Sequence, residues 1–215
     1  MDPIQAVIWD FGGVLTSSPF DAFNRFEAEH GLPKDFIRTI NATNPESNAW
    51  ARFESSAISL DGFDRLFEEE SRDRGYPVPG RRVIEMLSGE VRPRMVQALR
   101  RCKAAFAVAC ITNNMKTGLG PSMAGSFARR TETGRVMALF DLIVESSVEG
   151  IRKPDPRIYE LTCERLGVPP RACVFLDDLG INLKPARALG MHTIKVLDED
   201  QAIADLQAAT GLSFD

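Results

Sequence analysis

Apolar residues run without a break over Ala6-Val7-Ile8-Trp9 and stop at Asp10, with Gly12 and Gly13 close behind. A short run of this kind, bounded by turn formers, predicts a strand buried on both faces, as parallel sheets use. An unpaired charge inside such a sheet would cost several kcal/mol, so Asp10 is expected at the strand's carboxyl end, where open α/β sheets present ligands. From residue 17 to about residue 88 the spacing turns helical, with no convincing strand. Phe20, Phe23, Phe26 and Ala28 fall on one helical face, and Gly31 with Pro33 supplies a stop. A second helix is predicted over 35–42, a turn cluster at Asn44-Pro45-Glu46-Ser47-Asn48, and a loop over 74–80. Between them a helix over 59–71 carries Phe63, Leu66 and Phe67 on one side.

From residue 91 strands and helices alternate. Helices are predicted over 93–103, 156–166, 183–189 and 200–209, and strands over 106–112, 140–145, 173–177 and 192–197. A further loop and helix link the strands that end at 112 and begin at 140. Strands separated by helices of this length predict a parallel sheet with right-handed crossovers. The fold class is therefore α/β: a Rossmann-like core from residues 1–16 and 89–215, with a small all-helical insertion over 17–88 after the first strand.

Composition adds exclusions. With 44% hydrophobic and 26% charged residues in 215, the chain reads as an ordinary globular protein. A net charge of −4 gives no support for a nucleic-acid partner or an anionic membrane. Arg81-Arg82 and Arg129-Arg130 read as solvated faces. Cys102, Cys110, Cys163 and Cys173 include no CxxC pair and are expected to be free, buried thiols of a reducing compartment. The first residues carry no basic stretch or cleavage pattern, and no apolar run approaches the ~18 residues of a membrane span. A cytoplasmic protein is expected, monomer or homodimer.

Chemistry gathers where the predicted strands end: Asp10, Thr112-Asn113, Lys153 in the loop after the third strand, and Asp177-Asp178. The carboxyl ends of parallel strands face one way, so these groups can converge on one crevice. A nucleophile, a hydroxyl and amide donor, a cation and paired carboxylates are what phosphoryl transfer needs: charge neutralisation, a metal clamp and positioning. Lys153-Pro154-Asp155-Pro156 reads as a lysine held beside a rigid helix start, with Asp155 as N-cap and Pro156 at the first helical position. Two adjacent acids at a strand end repel unless a cation offsets them, and Mg²⁺ favours hard carboxylate oxygens.

The order of these segments resembles the haloacid dehalogenase (HAD) superfamily: VIWDFGGVLT as its first motif, CITNN as its second, RKPDPRIY as its third and VFLDDLGINLKPARALGM as its fourth. The helical insertion resembles that superfamily's C1 cap. VFLDDLGINLKPARALGM is similar to the N-terminal phosphatase domains of soluble epoxide hydrolases, and DFGGVLT to HAD domains ahead of some acyl-CoA dehydrogenases. The resemblance implies a Mg²⁺-dependent phosphatase of a small phosphorylated metabolite, with Asp10 as the nucleophile that forms an aspartyl-phosphate. It implies that Thr112, the Asn113 amide and Lys153 bind the phosphoryl group. It makes Asp10, the Gly12 carbonyl and Asp177 metal ligands, with Asp178 a ligand or a support for one. Asn182 reads as the N-cap of the helix over 183–189, with direct participation as the other option, and Lys184 and Arg187 as helix-surface residues.

One position departs from the pattern. Many phosphatases of the superfamily carry D-x-D in the first motif, the second Asp serving as general acid and base; here that residue is Gly12. The ligating carbonyl survives the change and the proton relay does not. Two further readings follow. One is a weakly catalytic or non-catalytic domain that binds a phosphorylated ligand or a protein partner. The other, ranked below it, is a dehalogenase-type C–X hydrolase, against which the Asp177-Asp178 pair argues. In the superfamily the cap sets substrate choice, and Phe20, Phe23, Trp50, Arg52 and Phe53 are candidates to face a pocket, the competing reading being the insertion's own core.

Overall fold

A computed structural model describes residues 3–44, 46–54, 57–87, 89–114 and 127–214, with the backbone alone at 54 and 127–131. Contacts between Cα atoms divide the chain into two units. One takes in residues up to Ser17, Glu90–Asn113 and those from Phe127 on; the other takes in Ser18–Gly89 and, of the described residues beyond it, Asn114.

The first unit is built on a five-stranded, all-parallel sheet in the order β3-β2-β1-β4-β5. Its strands are β1 (Ala6–Trp9), β2 (Ala107–Thr112), β3 (Leu142–Glu145), β4 (Cys173–Asp177) and β5 (His192–Lys195). The most apolar run takes the centre: β1 is fully buried between β2 and β4, while the outer strands β3 and β5 are partly exposed. Strand side chains alternate between faces, and so does the core. Val7, Trp9, Val108, Cys110, Val174 and Leu176 form one apolar cluster; Ala6, Ile8, Ala109, Ile111, Cys173 and Phe175 belong to another. Helices α6 (Pro93–Ala105) and α11 (Glu199–Thr210) close the first, and α9 (Pro156–Leu166) and α10 (Gly180–Ala188) the second. The result is the expected α/β layering, with α7 (Phe127–Met137) and the short α8 (Ser146–Glu149) flanking β3 in sequence.

Among the described residues the second unit is helical: α1 (Pro19–Glu29), α2 (Phe36–Ala42), α3 (Ala49–Glu54), α4 (Leu60–Arg72) and α5 (Gly80–Met86). It has its own core, where Phe53 stacks on Phe63 at 4.8 Å and Phe63 meets Phe67 at 5.5 Å. Glu27 is buried within it for a local reason. Its carboxylate accepts from the Asp35 and Ile37 amides at 2.8 and 2.9 Å, serving orphan donors at the start of α2 that Asp35, in a left-handed conformation, does not cap. Phe23 and Phe53 are buried in this core, which corrects their placing among pocket candidates; Trp50 packs against Phe63, and Arg52 is exposed. Aromatics at helical spacing satisfy their own unit first because burying a ring contributes more than any exposed position can.

Other boundaries differ from the sequence reading. α3 and α5 were not resolved as separate helices by the spacing, β3 starts at Leu142 rather than 140, and α10 starts at Gly180, three residues earlier than expected. Pro45 of the turn cluster, most of the link between β2 and α7, and the Arg129-Arg130 side chains lie outside the described residues. Arg81 and Arg82 are exposed and paired with Asp61, Asp64 and Glu85, as solvated faces. All four cysteines are free and buried. No helix among the described residues is long and apolar enough to cross a membrane.

Candidate active site

The register explains why the strand ends meet. Trp9 stands level with Cys110 and with Leu176, so Asp10 emerges beside Asp177 and one step short of Thr112. The Asp10 amide continues the ladder by donating to the Leu176 carbonyl at 2.8 Å. Thr112 ends β2, buried, and Asp178 follows directly on β4.

Lys153 is the hub. Its side chain is 1% exposed, and Nζ lies 2.8 Å from Asp10 Oδ1 and 2.8 Å from Asp177 Oδ2. It also stands 5.7 Å from the centre of the Phe175 ring. Burial works against the ammonium, but the charges and hydrogen bonds of Asp10 and Asp177 outweigh it and hold Lys153 above its ordinary range. Burial pushes the Asp10 carboxyl up; Lys153 opposes this, while Asp177 and Asp178 add to it.

Asn113 aims the lysine. Its Oδ1 accepts from the Lys153 amide at 2.9 Å and its Nδ2 donates to the Lys153 carbonyl at 3.0 Å, so one side chain closes both backbone groups of a residue forty positions away. The sequence reading placed only the Asn113 amide at the phosphoryl group; this side-chain role was missed. On the far side Asp155 accepts from the Arg157 amide at 3.0 Å and Pro156 opens α9, the rigid start expected after Lys153.

Asp177 is fully buried, and both of its oxygens accept hydrogen bonds. Oδ1 accepts from the Leu179 amide at 2.8 Å, Asn182 Nδ2 reaches both oxygens at 3.0 Å, and Lys153 takes Oδ2. Asn182 is therefore not an N-cap. Helix α10 has already begun, with Leu179 in the cap position, and the buried amide of Asn182 turns back onto Asp177. Its carbonyl in turn accepts from the Tyr159 hydroxyl at 2.7 Å, and Tyr159 packs edge-on against Phe175 at 5.3 Å. Tyr159 closes the RKPDPRIY segment, and its apolar position on the inner face of α9 was the available signal. Lys184 and Arg187 are exposed, as expected.

Asp10, Asp177 and Asp178 each offer a carboxylate oxygen, and these lie within 4.8 Å of one another. Three hard oxygens without histidine or thiol suit Mg²⁺ better than zinc or copper. The three carboxylate oxygens converge closely enough to share one divalent cation, so the donor set fits the ion. Gly13 is part of the fit. It has φ +76°, its carbonyl accepts from Arg92 Nη1 at 3.0 Å, and a Cβ there would stand 2.2 Å from Asp178 Oδ2. Gly13→Ala is expected to lower stability by about 1–3 kcal/mol through backbone strain and overlap. Urea titration checks this, and a variant as stable as the native chain would show that the Asp10 loop and Asp178 are not packed together.

Residues 4–190 match the haloacid dehalogenase-like hydrolase family. The chain is 36% identical to mouse acyl-CoA dehydrogenase family member 10 over 96% of its length and 31% identical to pig bifunctional epoxide hydrolase 2 over 98%. It spans only 19% and 40% of those two relatives. It is 30% identical to phosphatase MT3486 of Mycobacterium tuberculosis, over 90% of this chain and 87% of that one. A HAD-like hydrolase of Porphyromonas gingivalis superposes with a TM-score of 0.62 at 24% identity, over 89% and 90% of the two chains. The magnesium-bound putative HAD-hydrolase YfnB of Bacillus subtilis gives 0.63 at 14%, over 98% and 100%. These likenesses to solved structures establish the fold.

Proposed function

The chain belongs to the haloacid dehalogenase-like hydrolases, and on that premise we propose that it is a Mg²⁺-dependent phosphatase of a small phosphorylated metabolite. The observation that carries this reading is the Lys153 ammonium held 2.8 Å from both Asp10 and Asp177, with Asp178 completing three convergent carboxylates. A relative named as a phosphatase along nearly its whole length, and a magnesium-bound hydrolase of the same fold, support it. Neutral-to-acidic charge and free thiols fit a cytoplasmic enzyme.

A carboxylate oxygen of Asp10 attacks phosphorus, and the bond from phosphorus to the leaving alcohol breaks. Water then attacks the aspartyl-phosphate, releasing inorganic phosphate and restoring Asp10. Thr112 and the Asn113 amide hold the transferring oxygens. Lys153 favours the charged, attacking form of Asp10 against the burial and the neighbouring acids that oppose it, and offsets charge on the phosphoryl group. Asn113 holds Lys153 in place, and Asn182, with Tyr159 behind it, orients Asp177. Mg²⁺ held by Asp10, the Gly12 carbonyl, Asp177 and, directly or through water, Asp178 would neutralise the phosphoryl charge.

Gly12 supplies no proton to the departing alcohol, which must take one from water. Turnover should therefore depend steeply on the leaving group, aryl phosphates outpacing alkyl phosphates. Gly12→Asp should raise alkyl phosphate turnover by about 10²-fold, the low end of what a general acid contributes. Phosphate release from a panel of esters, with Mg²⁺ and with chelator, tests the reading. No release from any ester would leave a domain that only binds phosphorylated ligands, the reading that Gly12 itself favours as second choice. Halide release from 2-haloacids without metal would move the chain to C–X hydrolysis.

A further inference from the structure

The thiols of Cys163 and Cys173 make a contact that the phosphatase chemistry does not use. Cys163 sits in α9 and Cys173 opens β4; their Sγ atoms are 3.9 Å apart, and both residues are reduced. Cys163 also forms part of the wall of an open cleft of about 530 Å³ that includes Glu160, Glu164, Val168 and Pro169. One thiol of the pair thus lines an opening to solvent. The other lies fully buried behind it and donates to the Pro169 carbonyl at 3.5 Å. The two thiols are in hydrogen-bond contact, and Cys163 is the one that lines the cleft, so its sulfur is the one an entering oxidant meets first.

We propose that Cys163 and Cys173 form a site of reversible oxidative modification, closing an intramolecular disulfide when hydrogen peroxide enters the cleft. The Cys163 thiolate attacks one peroxide oxygen, the O–O bond breaks, and the second oxygen leaves as water after taking a proton. Cys163 is then a sulfenic acid. Cys173 gives up its proton, its sulfur attacks that of Cys163, and the hydroxyl departs as a second water. Two thiols lose two electrons and two protons, and the peroxide gains them; a dithiol reductant reverses the step. The bond ties α9, which begins three residues after Lys153, to β4, which ends at Asp177, and so tethers two elements that flank the central ion pair.

Cys102 and Cys110 serve as internal controls. Both are fully buried, and burial pushes the Cys102 thiol up to about 12 and Cys110 higher still. Treating the folded chain with hydrogen peroxide and counting thiols after denaturation should show two of the four lost, with a mass lower by two hydrogens. Arg165 and Arg171 lie between the two cysteines, so trypsin separates them unless a disulfide joins the peptides. Dithiothreitol should restore both thiols. Cys173→Ser should stop at a sulfenic acid that dimedone traps on residue 163, and Cys163→Ser should remain unmodified. Four surviving thiols, a link through Cys102 or Cys110, or Cys163 passing to sulfinic acid while Cys173 stays reduced would each overturn the proposal.

Discussion

Asp10→Asn is expected to lower phosphate release by at least about 10⁴-fold, because removing a covalent nucleophile removes the reaction path itself and not one contribution to it. The amide keeps the shape of the carboxyl group, and Lys153 retains Asp177 as a partner at 2.8 Å. Burial already disfavours the Asp10 charge, so the variant should unfold at a urea concentration no lower than the native chain. Loss of turnover in a protein of undiminished stability separates a nucleophile from a structural acid. Acid-quenched native enzyme should carry one phosphoryl group during turnover with an aryl phosphate, and the variant none. Turnover above about one hundredth of native in Asp10→Asn would remove Asp10 from that role.

The site was legible in sequence to the extent that local rules placed it. Strand ends in a parallel sheet must face one way, so an apolar run stopping at Asp10 and another stopping at Asp177 imply a shared edge from sequence alone. The contacts that aim those groups are not local. Asn113 reaches Lys153 across forty residues, and no spacing rule encodes a side chain that pairs with another residue's backbone. Asn182 misled for a physical reason: asparagine before an apolar helical stretch is a common cap. Here the Asp177 carboxylate takes the Leu179 amide and lets the helix begin at Gly180. That moves Asn182 into the first turn and frees its amide for Asp177. The cysteine pair was equally hidden, since ten residues separate its members and only the packing of α9 on β4 brings them together.

Asp178 bears on which hydrolase this is. A C–X hydrolase releases a halide that needs no proton, which the Gly12 position would tolerate. The proposed metal reading gives the third acid a use: Asp178 adds an oxygen to those of Asp10 and Asp177, and a divalent cation would offset their mutual repulsion. Gly12 speaks to the proton and the acidic cluster to a metal, and the proposed phosphoryl transfer would use both the cluster and the lysine.

Lys153→Met should be the most destabilising single change in the sheet unit. The methionine fills much the same volume and leaves Asp10 and Asp177 buried without the ammonium that lay 2.8 Å from each. Breaking a buried pair from one side costs about 3–5 kcal/mol, since the desolvated carboxylates keep their hydrogen bonds but lose the counter-ion. The loss should appear as a lower urea midpoint with an unchanged slope. Lys153→Arg keeps the charge but forces a planar fork into a place shaped for a compact ammonium, so it should recover only part of the deficit. If the carboxylates also hold a divalent cation, Mg²⁺ should raise the midpoint of Lys153→Met more than that of the native chain, because the ion then takes over the compensation the lysine supplied. Equal shifts in the two proteins would mean that ion and lysine do not share these oxygens, and a native-like midpoint for Lys153→Met without Mg²⁺ would remove Lys153 from the centre of the site's electrostatics.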